Sequence, residues 1–284
     1  MRNKVIACID DSQYAQAVCD YAAWSANQMD APLSLLHVLD ELPASRGTNL
    51  SGTIGLGSQE ALLEELASLD ERRSKIALEQ GKMMLQAARE RVASNGISEP
   101  ESRQRHGELL DALKDLEQET RMLVVGKRGA DTASAHGHIG SHLEGIIRAM
   151  QCPVLIAQQS FSAPTRFMIA FDSSETAFKG VDMVAASPLF KGIPCHLVMA
   201  ATDTAENRAP LERAQATLQA AGFDTTAALI TGDPEKALAD YQEQQGVDLL
   251  IMGAYGHSRI RHFIVGSTTT AMICRTRISL LVLR

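Results

Sequence analysis

The chain contains two versions of one pattern. "VIACIDDSQYAQAVCDYAAW" near the start slides onto "MIAFDSSETAFKGVDMVA" from Met168, setting Asp10 on Asp172, Ser12 on Ser174 and Ala15 on Ala177. Further along, "LSLLHVLD" falls on "CHLVMAAT", "MLVVGKRG" on "LLIMGAYG", and "IGSHLEGIIRAMQCPVLIA" on "VGSTTTAMICRTRISLLVL". Four matches in one order amount to a duplicated domain. Whatever fold one half takes, the other must take too. The 284 residues then divide into two domains of ordinary size, each able to bury a core. Residues 1–160 make the first and 161–284 the second. The polar stretch "QQSFSAP" between them is too short to hold the two apart, so they are expected to pack together.

Each half reads as strands alternating with helices. In the second half the strands are predicted near 167–171, 194–200, 225–230, 248–252 and 278–283, and the helices near 175–186, 206–221, 234–245 and 266–275. Asp233 before Pro234 gives an N-cap followed by proline at the first helical position, and Gly222 and Gly246 stand where helices should stop. Short apolar runs alternating with helices of this length argue for βαβ units and parallel strands. Right-handed crossovers then make each half a doubly wound α/β domain, a five-stranded parallel sheet flanked by helices. The first half also carries an insertion at about 41–95: a Gly/Ser/Thr-rich stretch, then a helical run from about 60 to 94. In that run Leu62, Leu63, Leu66, Leu69 and Ile76 form a stripe expected to be buried against the sheet or a partner chain, core packing being the plainer reading.

Composition enters mainly to exclude. A net charge of -7 gives no electrostatic footprint for nucleic acid or an anionic membrane. No run approaches the apolar length that spans a bilayer, and the start lacks a signal peptide's apolar region. Five scattered cysteines without a CxxC pair fit reduced thiols and a cytoplasmic location.

The sharpest local signal is "MGAYGHSRIRHFIVGST", at the end of the fourth strand of the second half. Gly253 and Gly256 admit a ligand close to the backbone. Nine residues later Gly266 and Ser267, followed by Thr268, open the last helix, whose N-terminus offers free N–H groups and partial positive charge. His257, Arg259, Arg261 and His262 lie between and can neutralise phosphate. Asp172 ends the first strand on the same edge of the sheet, where doubly wound folds bind ligands, and can accept from ribose hydroxyls or an adenine amine. Met252, just before Gly253, belongs to the segment, although its side chain reads as core. The first half repeats the arrangement with Asp10, Gly126, Gly129, Gly140 and Ser141, but ten residues separate Gly129 from Gly140. That extension leaves phosphate binding there open. Asp10 and Asp172 also have a plainer reading as turn or capping residues, with Ser12 and Ser174.

These residues resemble the universal stress protein family in its tandem, two-domain form, and the resemblance covers nearly the whole chain. It rests on the G-x2-G-x9-G-[ST] spacing at Gly253, Gly256, Gly266 and Ser267, on the acid after the first strand, and on "LLHV" in the second. It implies an adenine nucleotide α hydrolase-like fold and binding of ATP or ADP, with Mg²⁺ as an accompanying ion. It also implies adenine contacts at Ala200 and, in the first half, at Val38. In such proteins final strands commonly pair, so the halves are expected to form an intramolecular pseudo-dimer, with a homodimer of chains left open.

Other chemistry is thin. His136, His138 and His142 suggest a nitrogen site, but no cysteine or carboxylate stands at ligand spacing, and no metal is assigned. There is no P-loop, GxSxG, HExxH or GxGxxG after the first strand. "IDDSQ" and "FDSSE" lack the glycines of the pyrophosphate loop in related adenylating enzymes. No catalytic residue is assigned; slow ATP hydrolysis is the most the segment allows. Two functions stand side by side: a stress-response sensor, whose ATP or ADP occupancy orders the 254–265 loop and changes which protein partner it accepts, and an interaction scaffold that has lost the ligand.

Overall fold

In the computed structural model residues 3–39, 56–129, 141–253 and 267–284 are described; at 56–63, 141–142, 267–268 and 271 the description is of the backbone alone. The first half runs β1 (Lys4–Cys8), α1 (Ala15–Met29), β2 (Leu33–Leu39), α2 (Leu56–Ser94), β3 (Glu101–His106), α3 (Leu109–Leu116), β4 (Thr120–Gly126), α4 (Ser141–Ala149) and β5 (Val154–Ala157). The second runs β6 (Phe167–Ala170), α5 (Glu175–Ala186), β7 (Cys195–Ala200), α6 (Ala205–Ala220), β8 (Thr225–Ile230), α7 (Pro234–Gln245), β9 (Leu249–Gly253), α8 (Ser267–Arg275) and β10 (Ser279–Leu283).

Among the described residues all ten strands form one sheet, in the order β3-β2-β1-β4-β5-β10-β9-β6-β7-β8. Within each half every pairing is parallel. The exception joins the halves: β5 and β10 run antiparallel, with Val154 opposite Val282 and Ile156 opposite Leu280. The strand order therefore reads the same from either edge. One face packs α1, α2, α5 and α6 around Val5, Phe167 and Leu197; the other packs α3, α4, α7 and α8 around Ile6, Leu123 and Leu250. Strands buried on both faces account for their nearly unbroken apolar runs.

Several local signals act as expected. Asp233 accepts from the Lys236 amide at 3.2 Å, and Gly246 ends α7 at φ 61°. The outermost strand β3, "ESRQRH", is polar because it is an edge, and charged edges resist further strand pairing. Its charges are used: Lys4 reaches Glu101 and Glu119 at 2.8 Å each, and Arg103 binds Glu119 at 2.5 Å.

The inserted helix corrects the core-packing reading of its stripe. Leu69 and Ile76, expected to be buried, are 43% and 59% exposed. At about 1.5 Å per residue α2 is about 58 Å long, far longer than the strands beside it, so only its C-terminal part has a sheet beneath. There Gly81, Leu85, Ala88 and Val92 are buried instead. Arg91 and Asn95 secure this end to α1 through the nearly buried carboxylate of Asp20, at 2.7–2.8 Å.

Burial pushes the thiols of Cys8, Cys19 and Cys195 up to about 12. At neutral pH they are held as thiols rather than thiolates.

Candidate functional site

The carboxyl edge of the second half is set by strand register. Ala170 lies opposite Val198 of β7 and Met252 of β9. Continuing two residues puts Asp172 level with Ala200; one residue on from Met252 is Gly253. Three adjacent strands, about 4.8 Å apart, thus bring an acid, an alanine and a glycine to one edge. Phe171 donates to the Val198 carbonyl at 2.9 Å and extends the pairing up to the acid.

Beyond it the chain turns sharply. Ser173 takes a left-handed conformation, φ 59°, unusual for a residue with a side chain. The Asp172 Oδ1 accepts from the Ser174 amide at 3.0 Å, and Ser174 Oγ caps α5 by accepting from the Ala177 amide at 3.1 Å. The turn reading of Asp172 is seen at Oδ1; Oδ2 has no partner among the described residues. Met252 is 6% exposed and its side chain belongs to the core.

Gly253 closes β9, and its carbonyl accepts from Thr269 Oγ1 at 3.2 Å. This ties the strand to the first turn of α8. That turn, which Ser267 and Thr268 open, contains no acid, and Arg275 sits in the last turn. With no acid in the first turn, no side-chain charge there opposes an anion at the positive end of the helix dipole. Gly256, His257 and Gly266 lie outside the described residues.

The first half builds the same edge differently. Register sets Asp10 level with Val38 and places Gly126 one residue behind. Asp10 Oδ1 takes two bonds, from the Ser12 amide at 3.2 Å and the Ser12 hydroxyl at 2.6 Å. Ser12 Oγ also accepts from the Tyr14 amide at 3.3 Å; the cap position of α1 itself falls to Tyr14, without a side-chain bond. Gly129 lies beside the acid, since a Cβ there would come 3.5 Å from Asp10 Oδ2. A Cβ on Gly126 would meet Tyr14 Cβ at 2.8 Å. At the matched place in the second half, a Cβ on Gly253 would meet Thr176 Cγ2 at 3.6 Å. The first turn of α4 contains Glu144, which pairs with Arg148 at 2.6 Å. Gly140 lies outside the described residues, as do His136 and His138; of Ser141 and His142 the backbone alone is described.

Sequence reasoning missed Lys127. Its ammonium donates to the carbonyls of Thr276 at 2.7 Å and Cys274 at 3.2 Å, capping the end of α8 in the other half. Burial lowers its pKa, helped by the neighbouring charge of Arg128. Gln158 donates to Thr276 and Ile278. Arg284 reciprocates by donating to the carbonyls of Arg148 and Met150 at the end of α4. No local pattern announces these bonds, whose partners are far away in sequence. The Tyr14–Thr176 contrast, however, can be read by sliding the halves together.

The fold defines a doubly wound α/β protein whose candidate site lies where parallel strands end and helices begin. The chain belongs to the universal stress protein family, whose model matches residues 1–158 and 196–284. It is 36% identical over 288 aligned residues to universal stress protein Slr1230 of Synechocystis sp. strain PCC 6803, covering 100% of both chains. It is 28% identical to universal stress protein MJ0577 of Methanocaldococcus jannaschii over 83 residues, 29% of this chain and 50% of that one. In fold it is similar to a universal stress protein from Archaeoglobus fulgidus: TM-score 0.70, 18% identity, 100% of this chain and 97% of the other covered. Among the described residues no helix is long and apolar enough to cross a membrane.

Proposed function

We propose that this protein binds an adenine nucleotide, ATP or ADP, mainly through the second half, and works as a nucleotide-dependent regulator in the stress response. The observation that carries this reading is the second-half edge itself. Asp172 keeps an oxygen without a partner level with Ala200 on the next strand, while on the other side Gly253 leads toward an acid-free helix start. Asp172 would accept from the ribose hydroxyls, and the main chain at Ala200 would meet adenine. Gly256, His257, Gly266, Ser267 and Thr268 would surround the phosphates. Mg²⁺ would arrive on the phosphate oxygens, as this ion keeps most of its waters and favours few protein ligands. The family's glycine spacing, complete only in the second half, supports the same assignment.

Asp10, Val38, Gly126, Gly129, Gly140 and Ser141 form a secondary nucleotide site, weakened by the longer loop and by the Ser12 bonds on Asp10. Free thiols at Cys8, Cys19 and Cys195 suit a reducing, cytoplasmic compartment. Nucleotide occupancy would alter which protein partner the carboxyl edge accepts.

Equilibrium binding of labelled ATP with Mg²⁺, competed by ADP, tests this. Saturable binding lost in Asp172→Ala and largely kept in Asp10→Ala supports it. Absence of binding by either nucleotide leaves an interaction scaffold. Phosphate release above the spontaneous rate, abolished with Asp172 or His257, would make it a slow ATPase instead.

A further inference from the structure

The seam between the halves is filled on one side and open on the other. Leu155 stands opposite Leu281 at the middle of the β5–β10 pairing, so a pseudo-two-fold passes there and the amino edge of each half has a counterpart in the other. At the second half's amino edge the linker lies against the core. Phe161 meets Tyr21 of α1 edge-on, with 4.7 Å between ring centres, and the Tyr21 hydroxyl donates to the Ser162 carbonyl at 3.3 Å. Asp248, just before β9, holds the linker's main chain by accepting from the amides of Thr165 at 2.8 Å and Arg166 at 3.2 Å.

At the counterpart place, by the amino ends of β4 and β5, there is a cavity of about 370 Å³. Its position follows from the repeat. Sliding the halves together sets Tyr21 on Met183, Trp24 on Ala186 and Asp248 on Arg121, and Met183, Ala186 and Arg121 all line the cavity. Two rings of α1 thus become a thioether and a methyl group on α5, which leaves room, and the join between the halves is used on the other side. Met29, Phe190 and Leu281 complete an apolar wall. A hollow of this size, mostly apolar with few polar groups, is the usual form of a small-molecule site.

The exchange of Asp248 for Arg121 says which chemistry fits. An aspartate accepts amide protons from a chain laid beside it; a guanidinium accepts none and offers five donors. Arg121 uses one of them on the Met29 carbonyl at 3.2 Å and has no ion pair among the described residues. No carboxylate is among the described residues that line the cavity; the Glu117 carboxylate near its rim accepts from the Gln151 amide at 2.6 Å. A planar cation beside an apolar hollow recognises a carboxylate on an apolar body. We propose that the seam cavity binds a small amphipathic monocarboxylate, with its acid group on Arg121 and its apolar body against α5 and the seam strands. The cavity lies at the opposite ends of the strands from the nucleotide edge, so this proposal does not rest on nucleotide binding.

Calorimetric titration of decanoate and of phenylpropanoate into the full chain tests it. One saturable site per chain is expected for at least one of them. Arg121→Met should weaken that binding about tenfold or more, and the corresponding alcohol should bind the wild type about as weakly as the carboxylate binds the variant. Ala186→Trp, at an exposed position, should close the cavity and abolish binding with unchanged circular dichroism and melting. Binding of neither carboxylate overturns the proposal. So does an affinity that Arg121→Met leaves unmoved or that the alcohol equals. Tighter binding of the peptide "QQSFSAP", kept in Arg121→Met, would give the cavity to a chain segment and overturn it too.

Discussion

The two carboxyl edges of this sheet start from matched sequence and end with different duties. In the first half the acid after the leading strand is held by both the amide and the hydroxyl of Ser12. Tyr14 presses on Gly126, Lys127 is spent across the seam on the end of α8, and the first turn of α4 holds Glu144. In the second half Asp172 takes one amide bond, Thr176 stands clear of Gly253, and the first turn of α8 is hydroxyl-bearing and acid-free. The first edge has been drawn into holding the molecule together. The second is the one we propose for the nucleotide.

That contrast can be broken by exchange of single residues. The largest effect is expected on ligand binding: Asp172→Ala should weaken ATP by about 10- to 100-fold, the loss of hydrogen bonds to a charged acceptor. Asp10→Ala should change the same titration by less than about threefold, as nucleotide binding is assigned mainly to the other half. Equal losses from both would mean the edges are equivalent.

The glycines should separate next, in urea unfolding. Gly126→Ala drives a Cβ to 2.8 Å from Tyr14 Cβ, a point on the side chain that cannot swing away, and should cost about 1–3 kcal/mol as overpacking does. Gly253→Ala meets Thr176 at 3.6 Å, an ordinary contact, and should cost less than about 1 kcal/mol. Lys127→Met removes two bonds from a charged donor to helix-end carbonyls and should cost about 1–2 kcal/mol, without altering ATP affinity.

The smallest effect is the pH dependence, and it differs between halves. Burial first, then the charge of Arg166, lowers the pKa of His196, whose Nδ1 meets the Tyr241 hydroxyl at 2.9 Å. A lowered histidine favours the neutral folded form. Its contribution is complete above the ordinary value near 6.5 and fades as pH falls below it. The matched residue in the first half is Ser34, which does not titrate. There the sensitive group is Glu119, which the Arg103 hydrogen bonds, then Lys4, bring down to about 2. Its contribution holds above the ordinary carboxylate range, about 4.3, and is lost as pH falls toward 2. Hydrogen exchange resolved along the chain should therefore show β7 loosening as pH falls below about 6.5, before β3 and β4 change. His196→Gln should remove the early phase.

Much of this was legible in the sequence because it is local or repeated. Apolar runs located the second-half strands within a residue or two, and Asp233 and Gly246 marked the ends of α7 through capping chemistry that needs only neighbours. Sliding the halves brought Asp10, Asp172 and the glycines to matched edges. What escaped was non-local. A heptad stripe of leucines does not say which side of a helix has a neighbour, and the truly inward face of α2 was hidden among Gly81, Ala88 and charged residues. The role of Lys127 escaped because its carbonyl partners, Cys274 and Thr276, lie in the other half. Ser173 carried no sign of its left-handed backbone.

The most direct measurement is a calorimetric titration of ATP with Mg²⁺ into nucleotide-stripped protein, read for stoichiometry per chain. The account predicts one dominant site, abolished by Gly256→Val, weakened about 10- to 100-fold by Asp172→Ala and changed less than about threefold by Asp10→Ala. Two sites of equal affinity would contradict it, since the first edge would then bind as well as the second.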